Sequence, residues 1–471
     1  MTPSQYTPEE PISSIATALA PAALGIVRVS GKGCIELVSK VFSRPKALME
    51  AAGNTLVYGW IQNPDVESAE TSKVDEVMLA VYRAPKSFTG EDMVEIFCHG
   101  GPAVVTAIQN LMLKIGFRQA NRGEYTFRAF INGKTDLTRA EAVKEIIDSH
   151  TDVSRSHAAG RLAGSLFEEI DDIKKLIVDT LAAIEVEIEY PEDEETIADS
   201  FDREDIETAA SRLQALADSW RGEKLYQDGA RVVLAGRTNA GKSSLFNAIL
   251  KEERAIVSDI EGTTRDWLES WASINGIPVR LFDTAGLRET SDVIEAQGVE
   301  ISRSLVHDAD VVLYLVDSQS GLNDEDRKFI EACTVPLIIV VTKIDSLVKP
   351  GNDNSVVSLL GLTRQSAPVC KISSKTGAGL SELFKSITSI LTAGLSTERT
   401  QAGLGSARQK EAVSQALESV RHALISADDN YTLDAVVQDL EDALDSLGEV
   451  TGDVTPDDVL GSIFANFCVG K

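Results

Sequence analysis

The octapeptide Gly236-Arg237-Thr238-Asn239-Ala240-Gly241-Lys242-Ser243 constrains the fold of this chain more than any other stretch. Its spacing is G-x-x-x-x-G-K-[ST]. The two glycines let the backbone aim its N–H groups at a phosphate, the lysine reaches the terminal phosphates, and the serine hydroxyl reaches a magnesium ion. The flanks agree with that reading. Arg231-Val232-Val233-Leu234-Ala235 reads as a buried strand, and Ser244-Leu245-Phe246-Asn247-Ala248-Ile249-Leu250 as a helix whose N-terminus faces the anion. A chance glycine-rich turn would not be bracketed by both. The sequence therefore predicts an α/β P-loop domain that begins mid-chain.

Base recognition is encoded further on, in Val341-Thr342-Lys343-Ile344-Asp345 after the apolar strand Leu337-Ile338-Ile339-Val340. Guanine presents a ring N–H and an exocyclic amino group side by side, and a carboxylate such as Asp345 accepts from both; adenine offers an acceptor there. This selects GTP over ATP. GTPases usually carry Asn where Thr342 stands, which predicts a weaker contact to the far edge of the base. Ser373-Ser374-Lys375, after the short strand Val369-Cys370-Lys371-Ile372, has the place of the loop that completes a guanine pocket.

Asp283-Thr284-Ala285-Gly286 follows the strand Val279-Arg280-Leu281-Phe282. Asp283 can hold magnesium through water, and the Gly286 N–H can donate to the terminal phosphate. The next residue is Leu287, which cannot orient an attacking water as the glutamine of Ras-like proteins does. Residues 288–298 hold several carboxylates that could, including Glu289, Asp292 and Glu295, and chemistry alone does not choose among them.

Asn239 in the loop, the segment Asp259-Ile260-Glu261-Gly262-Thr263-Thr264-Arg265-Asp266 and Asp283-Thr284-Ala285-Gly286-Leu287-Arg288-Glu289 together resemble the potassium-activated GTPases of the MnmE (TrmE) family. So do both ends of the chain. The C-terminal Phe467-Cys468-Val469-Gly470-Lys471 is similar to that family's tail. Near the N-terminus, Gly25-Ile26-Val27-Arg28-Val29-Ser30-Gly31, Ser87-Phe88-Thr89-Gly90-Glu91-Asp92-Met93-Val94-Glu95, His99-Gly100-Gly101-Pro102 and Phe130-Ile131-Asn132-Gly133-Lys134-Thr135-Asp136-Leu137 are similar too.

The resemblance implies a full set of nucleotide contacts. They are Asn239, Ala240, Gly241, Lys242, Ser243 and Ser244; Ser258, Asp259, Ile260, Glu261, Gly262, Thr263 and Thr264; Asp283, Thr284, Ala285 and Gly286; Thr342, Lys343, Ile344 and Asp345; and Ser373, Ser374 and Lys375. Magnesium would sit on Ser243 and Thr264. Potassium would sit on the Asn239 side chain and carbonyls near Ser258, Ile260 and Thr263, placing positive charge where the transition state develops negative charge. Glu295 would orient the hydrolytic water, with Lys242 and Gly286 at the phosphates.

It further implies a reduced-folate site, for 5,10-methylene- or 5-formyl-tetrahydrofolate, built from Arg28, Glu95, Lys134 and Lys471 at a homodimer interface. A pterin ring offers adjacent donors to a carboxylate, and cations can meet the anionic tail. Read without the resemblance, Arg28 and Glu95 on apolar strands are a buried ion pair. The implied activity is GTP hydrolysis coupled to adding an aminomethyl or carboxymethylaminomethyl group to carbon 5 of the wobble uridine of tRNA, with an FAD-dependent MnmG (GidA) family partner. The alternative is a ribosome- or RNA-assembly GTPase without modification activity. Cys468 has two readings, an activated nucleophile or a packing residue that seats the tail, and the inertness of most free cysteines favours packing.

Composition fits these expectations. The chain has 471 residues, 43% of them hydrophobic, enough for several sizeable cores. Acidic residues number 73 against 45 basic, a formal charge of -28 that opposes autonomous binding to a phosphate backbone, so a basic partner is expected to hold most of a tRNA. The five cysteines show no metal spacing or pairing pattern, which suggests a reducing compartment, and the five histidines form no cluster. Glu9 and Glu10 precede the first apolar stretch, unlike a secretory or transit leader, and no run is long enough to span a membrane. A cytoplasmic protein is expected.

The pattern predicts a multidomain chain. Residues 1–125 form an α+β domain, with a helix near Val104 to Ile115. Residues 126–226 and 394–471 form the two parts of an α-helical domain, and residues 227–393 an inserted α/β P-loop (Ras-like) GTPase domain. Leu166, Ile170, Ile173, Ile177, Leu181, Ile184 and Ile188 mark one face of a long helix ending at Glu189-Tyr190-Pro191. Val413, Leu417, Val420 and Leu424 form a second stripe, and Leu433, Val437, Leu440, Leu444 and Leu447 a third. Thr455-Pro456-Asp457-Asp458 reads as a capped helix start.

Overall fold

Glycine and proline turns punctuate the first part of the chain, and long three-and-four repeats the rest; the structure follows that division. A computed structural model describes residues 10–66, 72–189, 201–252, 269–283, 305–346, 367–395, 402–428 and 433–470. It contains two compact units, one of Met1–Lys144, Leu162–Leu213 and Glu411–Lys471, the other of Glu145–Arg161 and Gln214–Lys410.

The first unit carries a six-stranded sheet of β1 (Ile12–Ile15), β2 (Leu24–Ser30), β3 (Thr55–Gln62), β4 (Lys73–Tyr82), β5 (Met93–His99) and β6 (Arg118–Gln119), in the order β3-β4-β5-β2-β1-β6. Pairing is antiparallel except between β1 and β6. Alternation turns Val27, Val29, Val77, Leu79, Val94 and Ile96 to one face, which packs on α1 (Cys34–Ser39), α2 (Pro45–Met49) and α3 (Pro102–Lys114). On β3 and β4 the opposite alternation leaves Leu56, Tyr58 and Met78 exposed. Phe127 of α4 (Glu124–Ile131) and Leu137 share a small core with Leu460, Phe464 and Phe467.

The same unit is completed by long helices. Helix α7 (Ser165–Glu189) lies wholly within it, whereas α5 (Leu137–Asp148), α6 (Asp152–Ala163) and α8 (Arg203–Asp228) each have residues in both units. On α7 the expected stripe buries Leu166, Ile170, Ile173, Ile177 and Ile184. It packs against a late helix, Leu433–Thr451, whose buried face is Val436, Leu440, Ala443, Leu447 and Val450. This corrects the third stripe. Val437 and Leu444 are only half-buried, because the helix turns the neighbouring stripe, with the small Ala443 in it, to its buried face. The expected cap is also corrected. Pro456, at φ -59, holds the N-cap position of the helix Asp457–Ala465 and no side chain caps it, since Thr455 lies one residue too early.

The second unit is a doubly wound sheet. It consists of β7 (Ala230–Gly236), β8 (Glu269–Ile274), β9 (Ile277–Asp283), β10 (Val311–Asp317), β11 (Leu337–Thr342) and β12 (Val369–Lys371), in the order β12-β11-β10-β7-β9-β8. All pairs are parallel except β8 with β9. The strands read as nearly unbroken apolar runs because both faces are covered. One face packs on α9 (Lys242–Glu252) and α11 (Leu380–Leu391), and the other buries Ile330 of α10 (Asp324–Ala332). Strand order reverses at β7, between β10 and β9. That crevice, at the carboxyl ends of the strands, is where such sheets bind ligands.

Candidate nucleotide-binding site

The phosphate loop forms as its sequence dictates. Gly236 ends β7 with φ 133, and a Cβ there would lie 2.5 Å from the carbonyl oxygen of Leu315, so only glycine fits. Asn239 and Gly241 follow with φ 63 and 96, the left-handed turns that bring the chain round to α9. Lys242 opens that helix, 7% exposed, its Nζ donating to the carbonyls of Gly236 and Arg237 at 2.8 Å each.

Parallel pairing sets Leu234 opposite Asp283 at the end of β9. This brings Ser243 Oγ within 2.8 Å of Asp283 Oδ2, to which it donates. A hydroxyl and a carboxylate at the foot of a phosphate loop are oxygen donors suited to magnesium, so these two residues fit that ion.

The residues expected to read the base converge from the ends of β11 and β12. Ser373 Oγ donates to Asp345 Oδ1 at 2.7 Å, and this bond, with the nearby Lys375 charge, holds the Asp345 carboxyl below its ordinary range. It is therefore an anion and an acceptor at neutral pH. Ile344 is tied by its N–H to the Ile372 carbonyl, and Ser374 and Lys375 follow in the turn. Lys343, at φ 58, donates from Nζ to the Asn239 carbonyl and to Asp317 Oδ2, both at 2.7 Å.

Four residues around this site, Asp317, Arg237, Asp326 and Tyr314, make contacts that no motif announces. Asp317 ends β10, and the Lys343 ammonium holds its carboxyl low. The Arg237 guanidinium meets Asp326 Oδ2 at 3.1 Å and donates to the Gly321 carbonyl, while Tyr314 donates to Asp326 Oδ1 at 2.7 Å. Asp326 is 1% exposed. Its only sequence trace is the Asn323 capping pattern at the start of α10, which the structure realises as a capping box. Ser258, Asp259, Ile260, Glu261, Gly262, Thr263, Thr264, Thr284, Ala285, Gly286, Glu295 and Lys471 lie outside the described residues.

In the first unit, Arg28 on β2 and Glu95 on β5 are register partners. Arg28 donates from Nε and Nη2 to Glu95 Oε1, at 2.9 and 2.6 Å. Its Nη1 donates to the Gly470 carbonyl at 3.0 Å, and Tyr82 donates to Glu95 Oε2 at 3.3 Å. The rings of Tyr125 and Phe88 flank the guanidinium. Lys134 is exposed after α4, with its stem against Gly90.

The tail departs from expectation at Cys468, which is exposed. Phe467, 3% exposed against Phe464, and the backbone bridge of Val469 to Arg122 seat the tail instead. An aromatic ring buries far more apolar surface than a thiol, so it takes the pocket.

A phosphate loop at the end of β7, with Ser243 against Asp283 and Ser373 against Asp345 on a doubly wound sheet, defines a P-loop GTPase. Comparison with known proteins narrows the class. The family model described as MnmE helical domain matches residues 137–468, and that described as GTP-binding protein TrmE N-terminus matches residues 11–134. The chain is 51% identical over 474 residues to the tRNA modification GTPase MnmE of Treponema denticola, covering 99% of each. It is 43% identical over 499 residues to that of Treponema pallidum, covering 99% of each, and 40% identical over 467 residues to that of Carboxydothermus hydrogenoformans, covering 98% of this chain and 100% of the relative. The chain belongs to the MnmE family and is a GTP hydrolase.

Proposed function

We propose that this chain is a potassium-activated GTPase that takes part in modifying carbon 5 of the wobble uridine of tRNA, adding an aminomethyl or carboxymethylaminomethyl group with a reduced-folate one-carbon unit. An FAD-dependent partner of the MnmG type supplies the flavin chemistry. The observation that carries this reading is the Arg28–Glu95 pair closed by the Gly470 carbonyl, in a chain that also brings Ser243 and Asp283 together over a phosphate loop.

In this reading Ser243 and Asp283 serve magnesium, with Thr264 as its second direct ligand, and Lys242 serves the phosphates. Asn239, with carbonyls at Ser258, Ile260 and Thr263, holds potassium, which supplies positive charge beside the phosphates. Glu295 positions the water and the Gly286 N–H meets the terminal phosphate. Arg28, Glu95, Lys134 and Lys471 hold the folate, whose donors compete for the Glu95 carboxylate. Leu56, Tyr58 and Met78, exposed on the sheet face that also carries Arg28 and Glu95, support pairing of two copies over that face. A formal charge of -28 supports assigning most of the tRNA contact to the partner. Residues 227–393 are then a GTPase domain inserted between helical parts 126–226 and 394–471, behind the α+β domain 1–125. No described helix is long and apolar enough to cross a membrane, and we place the protein in the cytoplasm.

The test is GTP turnover in potassium chloride against sodium chloride at equal ionic strength. Asn239 has φ 63, so Asn239→Ala adds backbone strain of about 1 kcal/mol to the loss of the amide. Asn239→Gly removes the amide without the strain. Both variants should lose potassium stimulation. Equal rates of the wild type in the two salts would sink the cation, and stimulation surviving in Asn239→Gly would remove Asn239 from the site.

A further inference from the structure

The guanine-recognition segment departs from the usual pattern at Thr342, and its surroundings fix what the substitution does. Thr342 closes β11 and is 2% exposed. Its Oγ1 lies 2.7 Å from the carbonyl oxygen of Ala240 in the phosphate loop and 3.3 Å from that of Val316. Both are acceptors, and a hydroxyl has one hydrogen to donate. That hydrogen is committed inside the protein. The side chain is also packed beneath the loop: a Cβ on Gly241 would meet Thr342 Oγ1 at 3.5 Å and Cγ2 at 3.7 Å.

The edge of guanine remote from its N–H and amino group presents N7 and O6, both acceptors, which only a donor can read. Thr342 has no donor left. The neighbouring Lys343 holds the Asn239 carbonyl and Asp317 with its ammonium. Recognition therefore rests on Asp345, whose carboxylate is oriented by Ser373.

We propose that Thr342 is a positioning residue that fastens the phosphate loop to the base-reading strand through the Ala240 carbonyl. The pocket consequently selects guanine without a side-chain hydrogen bond to N7 and takes guanine nucleotides whose N7 is replaced by C–H. This rests on the guanine-nucleotide reading of the site and specifies how that site discriminates.

The experiment is competition of GTP and 7-deaza-GTP, each with magnesium, against a fluorescent GDP on the full chain. The wild type should bind the two within about twofold of each other. Thr342→Val keeps the shape and removes the hydroxyl, leaving the buried Ala240 carbonyl unpaired; it should weaken both nucleotides by the same factor, about fivefold. Thr342→Ser should restore both. A wild-type preference for GTP of about tenfold or more would overturn the proposal, as would a Thr342→Val variant that changes the ratio of the two affinities. Binding of neither nucleotide by the wild type would instead remove the guanine pocket itself, a separate failure visible in the GTP arm alone.

Discussion

Lys343 Nζ donates to the carbonyl oxygen of Asn239 across 2.7 Å, so a residue of the segment after β11 holds the turn that carries the proposed cation ligand. Both residues sit in the left-handed region, at φ 58 and 63, and the bond fixes two turns against each other. The Lys343 side chain is 42% exposed, so solvent screens much of its ionic attraction to Asp317. Lys343→Ala should weaken GTP binding by about 1 kcal/mol, or fivefold, and loosen potassium stimulation with it. Isothermal titration and turnover in the two salts would check this. An unchanged affinity would mean that the loop keeps its geometry without the lysine.

Asp345 offers the most direct test of base choice. Xanthine replaces the amino group of guanine with a carbonyl, so an acceptor must become a donor. Asp345→Asn should lower GTP affinity by about a hundredfold through two lost charge-assisted bonds, and raise affinity for XTP. Competition binding with the two nucleotides reads the exchange directly. A variant that kept its GTP preference would place base recognition elsewhere.

The nucleotide site was legible where its chemistry demands adjacent residues. Gly236, Gly241, Lys242, Ser243, Asp283 and Asp345 each announce themselves through a short motif at the end of an apolar strand, because the strand ends are where the doubly wound sheet gathers ligands. Arg237, Asp317 and Asp326 did not, because their roles depend on contacts across the fold: a side chain from the loop after β7 meets a cap residue of α10. The third helical stripe failed for a related reason. Two stripes that start three residues apart, at Leu433 and at Val436, satisfy the same three-and-four spacing and share Leu440 and Leu447, so spacing alone does not choose the one containing Ala443. Cys468 was misjudged because burial of the tail is decided by its larger neighbour, Phe467.

Arg28 and Glu95, 16% and 13% exposed as side chains, make a largely desolvated pair. Removing one partner leaves the other charge buried and uncompensated. Arg28→Ala should destabilise the protein by about 3 kcal/mol, followed as the low-denaturant edge of its unfolding curve, whereas Glu95→Gln, which keeps hydrogen-bonding atoms, should cost less. If the pair also holds folate, Glu95→Gln should abolish 5-formyl-tetrahydrofolate binding while the fold survives. Retained binding in a folded Glu95→Gln protein would restrict the pair to a structural role.

Thiol reactivity should separate the cysteines by burial. Cys468 is exposed, whereas Cys34, Cys98, Cys333 and Cys370 are buried. Burial pushes the Cys98 thiol up to about 11 and raises Cys34 and Cys370 as well. Iodoacetamide at pH 8 should therefore label Cys468 first, read by peptide mass spectrometry. Cys468→Ser should leave thermal stability within about 0.5 kcal/mol, because no packing depends on the thiol. Early labelling of Cys34 or Cys98 would contradict the burial described.

Glu223 on α8 faces Arg161 at 2.7 Å and His157 at 3.0 Å, in a knot that also holds Glu145 and the carbonyl of Gly403. Burial alone would raise the Glu223 carboxyl, but the His157 hydrogen bond and the Arg161 charge outweigh it and hold it below its ordinary value. A carboxyl depressed on folding contributes stability that is fully present above its unfolded value, about 4.3, and is lost as the pH falls through the lower folded value. Acid should therefore loosen this joint in the second unit, where the chain at Gly403 is gripped by Arg161. Urea unfolding of the wild type should show stability falling as the pH drops below about 4.3, and Glu223→Gln should flatten that slope by up to one bound proton. Parallel slopes for the two proteins would show that Glu223 takes up no extra proton on acid unfolding.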